Sequence, residues 1–582
     1  MLPTIQRLAH VVARATLCVL LAQAYAFAQE NQTPPAKGSG GELNPAQEVF
    51  DVQHYRLELE IFPNEKRIAG ALTMTAQLVA PAGTIMLDLD DALSVDGVWV
   101  SDPQARSTGV SKVLFSHRNG ELHIPLSRLC TAPSERTRSA GEVFVVRVEY
   151  GGVPREAPNP PWDGGFTWSR TADGSPWIAT TCQGEGADVW WPCKDHPSDE
   201  PDSMDIVITV PAPLVVASNG RLLEVREAPD DRLTHHWHVS TPINNYGVAL
   251  NIAPYETITT QYQGVEGEPF EFTYWVLPEN RTKGEILFEE FQRQMTFFED
   301  VCGPYPFRTD KYGVAETPHL GMEHQSIIAY GNGYRGDIVT GYDYDWLHHH
   351  ELSHEWWANL VTARDWKDFW IHEGIGTYLQ AVYMERRFGP EAYAKKMATD
   401  LKRIENKGSV APRGTRTTKD MYFASKRPDA PDIDVYMKGS WICHSLRWLV
   451  GDEVFFKILR RWAYPDPSLE SSRDGSACRF ASTDELQAIA EEVAGMELSW
   501  FFELYLRQPE LPELKVHISG GQCTLRWKTP GNMEFPMPVE VLVGGELRRV
   551  EMAEGEGVLS LPPGTPHEVD PSSRVLMKRH RW

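Results

Sequence analysis

From Val49 onward, apolar and polar residues alternate. Tyr55, Leu57, Leu59 and Ile61 are separated by polar residues, the period-two pattern of a half-buried strand. Similar runs at residues 71–79, 143–150 and 205–210, with turn residues between them, predict an all-β region ending near Pro254. The period changes from about Thr257. Leu287, Phe291, Met295 and Phe298 step by four, four and three, which predicts the buried stripe of a helix. A strand is expected after Tyr305-Pro306-Phe307. Two helical segments then follow within residues 346–388, the second running from Lys367 to Phe388 and stopped by Gly389-Pro390. Asp434 to Gly439 opens another helix, and Ser482-x-x-Glu485 is a capping box before a further one. Helical patterning ends near Gln508. Residues 515–518, 524–527, 539–543 and 547–552 are strand-like again. The pattern therefore predicts an α+β multidomain chain: a β-sheet domain over 48–256, a mixed helical domain over 257–508 and a small β domain over 509–582.

The 582-residue length agrees with several domains, because one core rarely grows that large. A formal charge of -24 excludes nucleic acid and anionic membrane as natural partners, since both attract basic faces. Residues 1–28 read as an export signal. Arg7 and Arg14 precede a mostly apolar run, and Ala26-Phe27-Ala28 is a small-x-small cleavage site. The run of about 14 apolar residues is shorter than the roughly 20 that span a bilayer. Export to a periplasm or the outside is expected, with no integral membrane segment after cleavage. Residues 29–47 are rich in Pro, Gly and Ser and read as a flexible linker. Without Cys18, seven cysteines remain, so at least one thiol has no partner within the chain. Cys182 and Cys193 are close in sequence, but sequence leaves their pairing open.

The candidate chemistry lies in residues 346–378. His350-Glu351-Leu352-Ser353-His354 is an H-E-x-x-H, which on a helix sets both imidazoles on one face with Glu351 beside them. A catalytic zinc needs a third protein ligand and an open position, and Glu373 in the next helical segment is the candidate. Alone, the pentapeptide also fits a surface helix with a spare histidine pair. The spaced Glu373 argues against that. His348 and His349 read as ordinary helix positions.

These motifs together resemble the gluzincin zinc aminopeptidases of the aminopeptidase N type. The family's H-E-x-x-H, eighteen residues, then Glu is met by His350, Glu351, His354 and Glu373, with Trp357, Asn359, Leu360, Val361 and Thr362 flanking it. Its exopeptidase motif is similar to Gly321-Met322-Glu323-His324, its tyrosine before x-Lys-Gly is Tyr436, and its Gln-x-Glu is Gln183-x-Glu185. Pro192 to Pro197 matches Pro-Cys-x-Asp-x-Pro. The resemblance implies a β-saddle domain, a thermolysin-like catalytic domain and a β-sandwich, without the helical domain that roofs the site in many relatives. It implies one zinc ion held by His350, His354 and Glu373, with Glu351 as general base and Tyr436 as oxyanion donor. It also implies that Glu323, Glu185 and Gln183 hold the free amine of a peptide, with Gly321, Met322 and His324 contacting substrate. The function implied is zinc-dependent removal of N-terminal residues from peptides. Two rival readings share the zinc: a thermolysin-like endopeptidase, which needs no amine anchor, and a catalytically weak binding scaffold. An epoxide-hydrolysing side activity, as in the leukotriene hydrolase branch, also stays open. His324 and His372 depart from the family's usual Asn.

Overall fold

The structure, a computed structural model, describes residues 38–103, 111–126, 137–422 and 429–578. The expected export signal and the first part of the expected linker lie outside the described residues. An eight-stranded sheet dominates the N-terminal region. Its strands run in the order Arg221–Ala228, Arg232–Val239, Ser203–Pro211, Phe50–Phe62, Arg67–Leu78, Val143–Gly152, Leu93–Ser101, Ser111–Val113. All neighbours are antiparallel except Phe50–Phe62 and Ser203–Pro211. The first strand extends beyond the alternation read from Tyr55. A bulge between Val52 and His54 shifts the register, so Phe50 and Val52 still face inward with Tyr55 to Ile61.

The expected flexibility of residues 29–47 is corrected where the chain is described. Gly40 pairs with Thr417, Ser39 and Gln47 are buried, and Gln47 Nε2 donates to Asp88 Oδ2 at 2.6 Å. The small residues serve close packing here: a Cβ on Gly40 would stand 2.3 Å from Trp366 Cδ1. The Trp-rich segment after Cys182 packs inside as well. Trp190 and Trp191 are fully buried, and Trp191 meets Tyr55 edge to face at 5.0 Å. Cys182 and Cys193 are both buried free thiols.

The catalytic region begins with a five-stranded sheet, in the order Glu256–Tyr262, Phe270–Val276, Tyr312–Glu316, Ile328–Tyr330, Gly321–Met322. Helix α1 (Arg281–Cys302) buries Phe291, Met295 and Phe298 against it. Four more helices build the site: α2 (Trp346–Ser353), α3 (Trp370–Phe388), α4 (Pro390–Leu401) and α5 (Asp434–Val450). The later helix Thr483–Ala494 carries the expected capping box. Two three-stranded sheets follow: Glu513–Ser519 with Gln522–Lys528 and Glu556–Ser560, and Glu546–Val550 with Val539–Val543 and His567–Val569. They share one apolar core with the helices, where Phe535 meets Tyr505 and Trp500. Among the described residues, no helix is long and apolar enough to cross a membrane.

Candidate active site

Helix α2 starts at Asp345, whose side chain accepts the His348 N–H at 2.9 Å and satisfies an otherwise unpaired donor of the first turn. Leu347, His350 and Glu351 then face one cavity. His354 closes the helix, and the chain leaves through non-helical backbone at Trp357 and Ala358. That turn matters for chemistry. The Trp357 carbonyl lies 3.0 Å from His354 Nδ1 and accepts its proton, which leaves the Nε2 lone pair free to face Glu373.

Helix α3 delivers Glu373 in its first turn. His350 Nε2 and His354 Nε2 are 3.4 Å apart, and they stand 3.3 and 3.5 Å from Glu373 Oε2. A tetrahedral ion with N and O ligands at about 2.0–2.1 Å holds its ligand atoms about 3.3–3.4 Å apart. The triangle therefore has the size that zinc needs. Glu373 Oε2 is buried without a hydrogen-bond partner among the described residues. Burial, with Lys396 nearby, pushes His350 down to about 4, so its imidazole is neutral and offers a lone pair. Three converging nitrogen and oxygen atoms of this spacing fit a cation.

The α3–α5 contact sets the remaining group. A Cβ on Gly374 would lie 2.8 Å from Gly439 Cα, so only glycines allow this approach. It brings Tyr436, one turn before Gly439, to the metal ligands. Its ring stacks on His350 at 6.0 Å between centroids, and its hydroxyl donates toward Glu373. Lys438 of the same motif turns away and donates to the carbonyls of Gln508 and Pro509, joining α5 to the start of the last β region.

Glu351 lies over the edge strand Gly321–Met322. A Cβ on Gly321 would stand 2.6 Å from its Oε1. Burial, then the charges of Glu323 and Glu373, pushes the Glu351 carboxyl well above the usual range. A bound divalent cation acts in the opposite sense and favours the carboxylate. Glu323 follows the edge strand, and its Oε1 accepts from Gln183 Nε2. Burial pushes Glu323 up to about 7. Gly321, Met322 and Gln183 also face the cavity.

Two of the expected substrate contacts lie outside the cavity wall. Glu185 is absent from the cavity wall. Gly186 N–H donates to the Cys182 carbonyl in a tight turn, which sends Gln183 to the cavity and Glu185 the other way. The Glu185 carboxylate accepts the Gly164 N–H and lies 3.4 Å from Lys419 Nζ. His324 is likewise fully buried outside the cavity. Its carbonyl accepts the Ile327 N–H in a turn that carries the ring into the interior, where burial pushes it down to about 3. His372, the other departure, accepts the Ala363 N–H at Nε2 at 2.9 Å and ties the strand Val361–Ala363 to α3. His348 and His349 pack in the core: His348 stacks on Phe291 at 3.8 Å, and His349 lies against Phe298 and Tyr383.

The cavity also holds residues that motif reading missed. Thr377 and Gln380 share the face of α3 with Glu373, a spacing legible in the sequence. Trp162, Tyr422, Lys396 on α4 and Arg403 just after it gave no local signal. Asn359 Nδ2 donates to the Glu323 carbonyl at 3.1 Å and positions the edge segment.

Comparison with known proteins follows the same division of the chain. The family model described as the peptidase M1 N-terminal domain matches residues 51–246, and that of the peptidase family M1 domain matches residues 288–466. Leukotriene A-4 hydrolase of Xenopus laevis is 23% identical over 448 residues, covering 71% of this chain and 65% of its own length. Leucine aminopeptidase 2 of Chaetomium globosum is 25% identical over 394 residues, covering 64% of this chain and 61% of its own. The chain thus spans less than two thirds of the length of these curated relatives. Among solved structures, the M1 zinc metallopeptidase of Deinococcus radiodurans is similar in fold, with a TM-score of 0.61 at 24% identity over 80% of this chain and 96% of that one. A mutant of that enzyme has been solved with a Tyr-Ser-Ala substrate, and it is similar to this chain with a TM-score of 0.60 at 23% identity over 80% of this chain and 95% of that one.

Proposed function

Since the chain belongs to peptidase family M1, we propose that it is a zinc-dependent aminopeptidase that removes the N-terminal residue of peptides. One observation carries the reading: a buried carboxylate, Glu323, fixed by Gln183, shares a cavity with the metal triangle and Glu351. A thermolysin-like endopeptidase needs no such anion, because it binds no terminal amine.

His350, His354 and Glu373 hold the metal. When bound, zinc supplies Lewis acidity that polarises the scissile carbonyl and acidifies a water. Glu351 takes the proton of that water and returns it to the departing amine. Tyr436 donates its hydroxyl proton to the developing oxyanion, where a preorganised donor acts most strongly. Glu323 receives the substrate ammonium, with Gln183 orienting its carboxylate. Anchoring the amine there confines cleavage to the first peptide bond.

The test is a set of aminoacyl reporter amides and short peptides, each with an N-acetylated twin, assayed with and without a chelator. Free-amine substrates are expected to be cleaved at the first bond only in the metal-replete protein. Cleavage of acetylated peptides at internal bonds favours the endopeptidase reading instead.

Tyr436→Phe is expected to lower kcat with little change in KM, because the oxyanion exists only in the transition state. Loss of one such donor costs about 2.7–4 kcal/mol. An effect confined to KM places Tyr436 in ground-state binding.

A further inference from the structure

The cavity continues beyond the catalytic groups. Glu323 lies with His354, their ligand atoms within 4.8 Å, at the end where the substrate amine is anchored. Lys396 lies near His349 and His350, one helical turn away along α2. From Glu373, the wall runs through Thr377 and Gln380, about 6 and 10 Å further along α3. It then reaches α4, which Gly389 and Pro390 fold back against α3. With the amine at Glu323 and the scissile carbonyl at the metal triangle, the residue after the scissile bond enters at the Lys396 end.

Donor capacity is left open at that end. The Lys396 side chain is only 9% exposed. Its ammonium has three protons, and two are given to Asp400, at 2.8 and 2.7 Å. No protein acceptor takes the third among the described residues. Asp400 also accepts from Ser440, at 3.4 Å. Asp337, the other acid of this wall, accepts from the backbone N–H groups of Val339 and Thr340 and from the Thr340 hydroxyl. Arg403, just past the end of α4, stands exposed at the mouth, and among the described residues no carboxylate is hydrogen-bonded to it. Lys396 and Arg403 thus face the cavity beside two carboxylates, Asp337 and Asp400, whose oxygens already accept hydrogen bonds.

We propose that this end of the cavity binds a carboxylate on the residue that follows the scissile bond. The carboxylate is either that residue's acidic side chain or, in a dipeptide, its own C-terminus. The proposal rests on the aminopeptidase reading and names the second-residue preference of that activity. Lys396 donates its remaining proton to the incoming carboxylate, and Arg403 adds a second charge at the rim. Such charge-assisted bonds discriminate, because a neutral isostere leaves the third proton of the Lys396 ammonium without a charged acceptor.

The experiment measures kcat/KM of the zinc-loaded full chain on C-terminally amidated tripeptides of one N-terminal residue. The second position is Glu, Gln or Lys. The matching dipeptide is assayed as free acid and as amide, and an anilide of the same N-terminal residue lacks any second residue. Glu is expected to exceed Gln about ten-fold if the site reads the side chain. The free dipeptide is expected to exceed its amide about ten-fold if it reads the terminus. In Lys396→Met, whichever ratio is found collapses toward one. The ratio is taken within one variant, so a loss of folded protein does not affect it. Arg403→Gln, at the exposed rim, lowers the ratio in part and serves if the buried substitution does not fold. Equal rates for all second residues and both dipeptide forms, or ratios unchanged in both variants, overturn the proposal. Absence of turnover on the anilide and on every peptide instead overturns the aminopeptidase reading beneath it.

Discussion

Glu351→Gln is expected to retain one zinc per chain and to lose on the order of 10³-fold or more in kcat. The three atoms of the metal triangle come from His350, His354 and Glu373, so an amide at 351 leaves the ligand set whole. The amide cannot accept the proton of an attacking water. It also relieves a cost. Without metal the Glu351 carboxylate is disfavoured by burial and by Glu323 and Glu373, so the zinc-stripped variant is expected to melt no lower than zinc-stripped wild-type protein. Metal content and initial rate are measured on one preparation, and melting temperature on a stripped portion of it. Near-normal turnover with full zinc means that another group accepts the proton.

The second large effect is loss of the metal itself. His354→Ala and Glu373→Ala are each expected to bring zinc content close to zero and activity to background. A site of three protein ligands has no spare donor. Each residue also holds local structure. His354 donates to the Trp357 carbonyl, and Glu373 accepts from Tyr436. A chelated wild-type control therefore separates metal loss from misfolding: it keeps every side chain, loses activity, and recovers on adding zinc. Full activity in thoroughly stripped protein ends the metallopeptidase reading.

Much of the fold is legible from residue periodicity because strand and helix place side chains at fixed intervals. The alternation at Tyr55 to Ile61 and the stripe Leu287, Phe291, Met295, Phe298 report local geometry, and each recurs as a strand or a helix of the structure. The capping box at Ser482 and Glu485 is legible for the same reason, since its bonds span only three residues. Compositional reading did less well at residues 38–47, where glycine and serine pack against Trp366 instead of forming a loose tether.

The sequence by itself determined the candidate metal ligands. Two histidines one helical turn apart must share a face, and Glu373 needs only one further helix to reach them. Tertiary structure alone decided which neighbouring polar residues join them. Gln183 and Glu185 are two positions apart, yet one meets Glu323 from 140 residues away and the other turns to Gly164. Glu323 and His324 are adjacent, yet a turn sends one to the cavity and the other to the core. Lys396 reaches the cavity because α4 folds back at Gly389 and Pro390, and Tyr436 because Gly374 and Gly439 let two helices close. Side-chain direction in turns and at helix crossings follows from contacts made across the chain, which no local period encodes.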